Sequence, residues 1–252
     1  MAGLLWKRGT TLGEGGFGVV SLASTSNALF RGVTLPSLTA LKSCDFNASQ
    51  SLKEEVEILR MHSPYILHCF ETNVSFEDNV NLYNLLIEYA FGGSLTDRLQ
   101  NCNSLSEFEV NKHMKNVLLG LSCIHNKGII HCNIKAGNIL LVGGDKTAKI
   151  ADFGLSVTLE LGMNKTQGVI RGTERYMAPE SVIKTEYSPQ VDIWALGQTV
   201  YEPTCGNHCG KMQINSKLSS EAQDFLKKCL VKNPSTHWTA DMLLNHTFLQ
   251  NS

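Results

Sequence analysis

Hydrophobic and polar positions divide this chain into two kinds of pattern. In the first part, apolar residues fall in short β-branched runs around glycines. "TTLGEGGFGVVSLA" gives two such runs and "LTALKSC" a third short strand. Between them, "STSNALFRGVTLPS" predicts a polar loop with Gly32 and Pro36, longer than a hairpin requires. "SQSLKEEVEILRMH" then switches to helical spacing. Leu52, Val56, Leu59 and Met61 approximate one face, with charges opposite, and Ser49 or Ser51 is the candidate cap. "NLYNLLIEYA" is another strand candidate, punctuated by "FGGSL".

From there the chain reads as mainly helical. "EFEVNKHMKNVLLGLSCIHNKG" predicts a long amphipathic helix with Gly128 as its stop. "VDIWALGQTVYE" is an apolar helix cut off at Pro203, where the hydrogen-bond ladder cannot continue. "SSEAQDFLKKCLVKN" opens on a serine cap with an early glutamate and runs into Pro234. "TADMLLNHTFL" predicts a last short helix capped by Thr239. A strand-rich first part followed by a helical second part predicts an α+β architecture in two lobes.

Composition agrees with a globular protein: 252 residues, 42% hydrophobic and 18% charged. The net charge of −1 gives no reason to expect nucleic acid or an anionic membrane as partner. "MAGLLWKRGT" holds no apolar core for a signal peptide, and no segment reaches the roughly 18 apolar residues of a membrane helix. A soluble intracellular protein is expected, so the eight cysteines read as free thiols. In "CGNHC", Cys205, His208 and Cys209 lie close together. Without a second ligand pair at finger-like spacing, they do not make a zinc site.

Gly13, Gly15 and Gly18 spell G-x-G-x-x-G. In a dinucleotide-binding fold these glycines open a helix. Here "VVSLA" follows, so they belong in a hairpin between two strands. Such a hairpin can lie over a triphosphate, because missing side chains let backbone N–H groups approach phosphate oxygens, and Phe17 at the tip could exclude water. An ordinary glycine-rich turn would look the same in isolation.

Further elements follow in order: Lys42 ending "TALK", Glu55 on the next helix, "HCNIKAGNIL" at 131–140, "ADFG" at 151–154, "APE" at 178–180 and "DIWALG" at 192–197. Together they resemble the eukaryotic protein kinase family. The wording of "LLIEYAFGGSL", "RGTERYMAPES" and "LSSEAQDFLKKCLVKNP" is most similar to the short plant MAP kinase kinase kinases. The resemblance implies a protein kinase domain over 1–252, with an N-lobe of about 1–88, a hinge of about 88–92 and a C-lobe of about 93–252. It implies Mg²⁺ and ATP as cofactors, a protein substrate such as a MAP kinase kinase, no nucleic acid and no membrane, and a cytoplasmic setting with the nucleus as a second. No regulatory domain is expected beyond the lobes.

The resemblance also implies roles. Lys42 would hold the α- and β-phosphates, with Glu55 fixing its ammonium. Asn138 and Asp152 would be the metal ligands, since Mg²⁺ prefers oxygen donors. Leu12, Val20, Ala40 and Leu140 would clasp the adenine, Ile87 would back the pocket, and the backbone of Glu88 to Ala90 would bond the adenine edge. Phe153 and His131 would pack under Leu59 in an apolar column. Lys135 would lie near the γ-phosphate, and Thr173 would bond to it and to residue 133, a serine/threonine-type signature. Ser156, Thr158 and Thr166 are the activation-segment hydroxyls.

Four departures qualify this. Asn133 stands where the family has its catalytic aspartate. An amide is no useful base near pH 7, and losing a general base costs about 10²–10⁴ in rate. Cys132 replaces the arginine that grips a phosphorylated activation segment in many kinases. His237 stands where an arginine usually pairs with Glu180, predicting a softer large lobe. The short stretch "PTCGNHCGKMQINSK" lacks room for a helix that the family places there. Three readings result: a serine/threonine kinase with weakened activity, a pseudokinase that binds ATP and acts as scaffold or regulator, and a truncated product without function.

Overall fold

The computed structural model describes residues 6–25, 29–30, 33–102, 105–159, 169–201, 218–233 and 236–250. The chain divides into two compact units, Met1–Phe91 and Gly92–Ser252.

The first unit is built on β1 (Trp6–Gly15), β2 (Gly18–Thr25), β5 (Leu38–Asp45), β6 (Cys69–Glu77) and β7 (Val80–Ile87). They form one antiparallel sheet in the order β1-β2-β5-β7-β6. The segment expected to be a polar loop contains a small hairpin, β3 (Leu29–Phe30) with β4 (Val33–Thr34). Leu35, just after it, packs with Trp6, Ala23, Leu41 and Leu86 on one face of the sheet. That apolar burial fixes Leu35 against the sheet.

Beside this cluster, Arg8 spans four strands through side chains. It donates to Glu77 at 2.8 and 3.1 Å, to Ser43 at 3.1 Å and to Asn84 at 3.1 Å. Its guanidinium holds the Glu77 carboxyl below the usual carboxylate range. Because strand side chains alternate, this network braces the face opposite Lys42.

The hairpin joining β6 to β7 turns on Asp78 and Asn79, with φ of 48° and 63°. These are the two left-handed residues of a type I′ turn, a conformation Asp and Asn tolerate. β6 was not anticipated from its own pattern; the "DN" turn was the available signal. α1 (Gln50–Leu59) buries Leu52, Val56 and Leu59 as expected, along with Ile58 and Glu55. Met61 lies past its end. Ser49 holds the cap position, but its hydroxyl donates backward to the Phe46 carbonyl at 2.6 Å instead of capping the helix.

In the second unit, α2 (Leu95–Gln100) and α3 (Glu107–His125) each start at a capping box, Ser94 with Asp97 and Ser106 with Glu109. α3 buries Val110, Met114, Val117, Leu118, Leu121 and Ile124, and the chain leaves it through Gly128 at φ 70°. Two short ladders follow that a mainly helical reading did not anticipate. β8 (Ile129–Ile130) pairs with β11 (Val157–Thr158), and β9 (Ile139–Val142) with β10 (Thr147–Ile150). Between and around these ladders lie the "HCNIKAGN" and "ADFG" stretches.

α4 (Pro179–Ile183), α5 (Pro189–Tyr201), α6 (Ser220–Cys229), α7 (Ala240–Leu244) and α8 (Thr247–Gln250) complete the unit. Ser219 caps α6, as expected, but the helix stops at Cys229, well short of Pro234. The last helix is two: Asn245 ends α7, and His246 Nδ1 accepts from the Phe248 N–H at 3.1 Å to start α8. Thr239 caps α7 through the Met242 N–H. Gly32, Thr166, Pro203, the "CGNHC" cluster, the shortened stretch and Pro234 lie outside the described residues. No described helix is long and apolar enough to cross a membrane.

The pairing of Glu180 on α4 is incomplete. His237 donates through Nε2 to the Val231 carbonyl at 2.7 Å, which turns Nδ1 toward Glu180 Oε1 at 3.6 Å. That distance is too long for a hydrogen bond. Both Glu180 oxygens are buried without a hydrogen-bond partner.

Candidate active site

The sheet register gathers the first set of expected residues. Val20 lies opposite Gly13 on one side and Lys42 on the other, and Ala40 lies opposite Ile87. Directly opposed residues share a face, as do residues two apart, so Val20, Ala40, Lys42 and Ile87 line one face of the sheet. Leu12 is largely exposed on β1. Gly13, Gly15 and Gly18 sit in the β1–β2 hairpin, which closes with Gly15 opposite Gly18. The glycines therefore open no helix.

Gly18 is required by the fold itself: its φ is 120°, and a Cβ there would lie 2.2 Å from the Ser43 carbonyl oxygen. Gly13, Gly15 and Gly16 differ. Open space lies where a Cβ would sit at each, so no packing within the chain demands their bareness. Room beside a bare backbone is what a phosphate chain needs.

Lys42 Nζ donates to Glu55 Oε2 at 2.7 Å, and both side chains are buried. A buried glutamate on the apolar face of α1 needs such a charged partner. The Glu88 N–H is given to the His68 carbonyl at 2.9 Å, so that group is not available to an adenine edge. Ala90 makes no backbone hydrogen bond among the described residues.

The second set sits in the other unit. Asp192 at the first turn of α5, wholly buried, accepts from the His131 and Cys132 N–H groups at 2.8 Å each and bonds His125 Nε2 at 2.9 Å. These bonds hold Cys132 at φ 63°, a strained value for a residue with a Cβ. "DIWALG" marked Asp192 in the sequence, but its clamp on the loop backbone was not foreseen. His131 Nδ1 accepts from the Asn133 N–H at 3.1 Å, so Nε2 carries the proton given to the Ala151 carbonyl at 3.0 Å. Burial pushes the His131 pKa down, in keeping with that neutral tautomer. Its ring packs edge-on against Phe153 with centroids 4.7 Å apart.

At the loop's working end, Lys135 Nζ donates to Thr173 Oγ1 at 3.1 Å, and the Thr173 hydroxyl donates to Asn133 Oδ1 at 2.9 Å. Gly172 lets Thr173 come this close: its φ is 117°, and a Cβ would lie 2.6 Å from the Cys132 carbonyl oxygen. Asn138 donates from Nδ2 to the Asn133 carbonyl at 2.9 Å, which leaves Oδ1 as its outward acceptor. The Ala151 N–H bonds the Asn138 carbonyl at 2.9 Å, placing Asp152, itself at φ 64°, beside Asn138. The pair offers oxygen donors, the chemistry Mg²⁺ takes when it arrives with phosphate oxygens. Leu140 follows on β9, half-buried.

Among the described residues, no group of three or more His, Cys, Asp or Glu side chains converges to hold a metal. Burial pushes the Cys132 thiol well above its ordinary pKa, so it is no nucleophile. Of the activation-segment hydroxyls, Ser156 donates to the Phe153 carbonyl at 2.8 Å and Thr158 is exposed on β11.

Comparison with known proteins agrees with this arrangement. The protein kinase domain profile matches residues 6–249. The chain belongs to the protein kinase family. It is 38% identical over 270 aligned positions to mitogen-activated protein kinase kinase kinase 20 of Arabidopsis thaliana, covering 97% of this chain and 78% of that one. It is 38% identical to mitogen-activated protein kinase kinase kinase 18 of the same plant, over 98% and 78% of the two chains. It is 34% identical to serine/threonine-protein kinase ppk11 of Schizosaccharomyces pombe, over 95% and 80%. The first alignment has more positions than this chain has residues, so the relative carries residues that this chain lacks.

Proposed function

We propose that the chain is a serine/threonine protein kinase of the MAP kinase kinase kinase type that binds Mg-ATP and transfers phosphate slowly. The observation that carries this reading is a contrast within one set of residues. The groups that handle phosphate and metal are all present, whereas the group that handles the substrate hydroxyl is an amide.

Bound Mg-ATP supplies the phosphoryl group and the charge neutralisation that phosphoryl transfer needs. The residues that would hold it are Gly13, Gly15, Lys42 and Glu55 in the first unit and Asn138 and Asp152 in the second. Lys42 is aimed by Glu55 at 2.7 Å. Asn138 is held with Oδ1 outward by its own Nδ2 bond. Asn133 cannot take a proton from an attacking hydroxyl at neutral pH, which removes about 10²–10⁴ in rate. Positioning and metal carry much of this reaction, so turnover is weakened without being abolished. The substrate class is a protein hydroxyl, and the relatives' names favour a MAP kinase kinase.

Two measurements test this reading. Mg-ATP is expected to raise the melting temperature of the natural chain, and labelled phosphate is expected to pass slowly to a protein acceptor. A thermal shift without any transfer would leave the pseudokinase reading. No cooperative melt would leave the truncated product.

A further inference from the structure

The hydrogen bonds around residue 133 fix more than the loss of a base. Lys135 has only hydrogens to give, so Thr173 Oγ1 accepts from it at 3.1 Å, and the hydroxyl's single proton goes to Asn133 Oδ1 at 2.9 Å. The amide oxygen is thereby spent. Nδ2 has no partner among the described residues, and it does not belong to the buried unpartnered atoms, so it reaches solvent. An aspartate in this place would turn a second acceptor outward. Asn133 turns a donor outward. The polarity of the site toward an incoming group is inverted.

The surroundings carry the same sign. Lys135 makes no ion pair among the described residues. Arg171 lines the same cavity as Asn133 and Thr173, and its Nε is buried with no hydrogen-bond partner. Its backbone N–H donates to the Tyr187 hydroxyl at 2.7 Å, which anchors the backbone, and among the described residues its guanidinium makes no ion pair. Asn133 turns an amide donor outward beside the cations Lys135 and Arg171, and among the described residues no carboxylate bonds either cation. A neutral serine or threonine hydroxyl finds no acceptor at Asn133. A phosphate monoester dianion finds donors, and hydrogen bonds from charged groups to phosphate are the strong kind.

We propose that the Asn133–Lys135–Arg171 region binds a phosphorylated serine or threonine side chain of a peptide in preference to its unphosphorylated form. This deepens the kinase reading of the same site, on which it rests: the chain would hold the reaction's product chemistry better than its substrate chemistry.

The test is fluorescence anisotropy with a labelled degenerate peptide pool carrying one central phosphothreonine, and with its unphosphorylated twin. The natural chain is expected to bind the phosphorylated pool about tenfold or more tightly. Asn133→Asp is expected to erase that preference by weakening the phosphorylated pool alone, and Asn133→Ala to reduce it in part. Inorganic phosphate is expected to compete only at far higher concentration than the phosphopeptide. Equal binding of the twins, binding of neither, an unchanged preference in Asn133→Asp, or free phosphate binding as tightly as the phosphopeptide would each overturn the proposal. Thermal shift with Mg-ATP, run on the same samples, separates the two readings. A normal shift with no peptide preference defeats this inference alone. Absence of both defeats the kinase reading beneath it.

Discussion

Two buried glutamates in this chain meet opposite fates. Glu55 sits on the apolar face of α1 and is held by Lys42 at 2.7 Å. Glu180 sits on α4 with His237 Nδ1 at 3.6 Å and no hydrogen bond to either oxygen. A carboxylate taken from water costs several kcal/mol unless a partner and hydrogen bonds replace the solvent. The first glutamate has that compensation and the second largely lacks it. The difference is one of partner: a lysine ammonium meets the first, and an imidazole turned toward the Val231 carbonyl stands near the second. His113 offers a third solution. It is 5% exposed with Nδ1 unpartnered, and burial pushes its pKa down to about 4, so it remains neutral.

The sharpest way to break this comparison is one substitution made twice. Glu55→Gln is expected to destabilise the protein by about 3–5 kcal/mol, since it removes the buried carboxylate that accepts from the Lys42 ammonium at 2.7 Å. Glu180→Gln is expected to lie within about 1 kcal/mol of the parent, because little pairing is lost. Equal losses in urea titrations would mean that Glu180 is as well compensated as Glu55.

His113 gives the next effect, read against pH. Its folded pKa of about 4 lies below the ordinary histidine value. The unfolded chain therefore takes up a proton that the native state refuses. The stability from this group is full above about pH 6.5 and falls by about 3 kcal/mol as pH drops toward 4. His113→Leu should flatten that part of the profile. A slope identical to the parent's would contradict the assignment.

The next expected change is a gain in stability. His237→Arg should raise stability by about 1–3 kcal/mol by supplying hydrogen bonds to both Glu180 oxygens. An unchanged or lower midpoint would show that the site has no room for a guanidinium.

Much of the architecture could be read from the chain because it rests on local chemistry. The Gly15–Gly18 hairpin followed from β-branched residues after the glycines, α3 from its amphipathic spacing and Gly128 stop, and the α6 start from its serine cap. Elements defined by their partners were harder to see. β6 mixes polar and apolar positions and is a strand only because β7 lies beside it. β8 and β11 are two residues each and exist by pairing. Ser49 was a sound cap by residue type, yet a turn just before α1 captured its hydroxyl.

The site divides in the same way. Lys42, Glu55, Asn138 and Asp152 were singled out by the resemblance of their motifs to the kinase family. The orientation of Asn133 was not, because it depends on Thr173, 40 residues away. The clamp of Asp192 on the Cys132 backbone spans 60 residues and has no local signal beyond "DIWALG". The weak Glu180–His237 pairing was anticipated from a single letter, and the geometry supplied its reason in the Val231 carbonyl that claims Nε2.

The proposed function has this chain hold Mg-ATP through its phosphate and metal residues while an amide stands where the attacking hydroxyl would be activated. Single-turnover transfer of labelled phosphate, compared between the natural chain and Asn133→Asp at saturating Mg-ATP, addresses it most directly. A rate about 10²–10⁴ higher is expected for Asn133→Asp, with the Mg-ATP thermal shift the same in both. Equal transfer rates at equal nucleotide occupancy would contradict it.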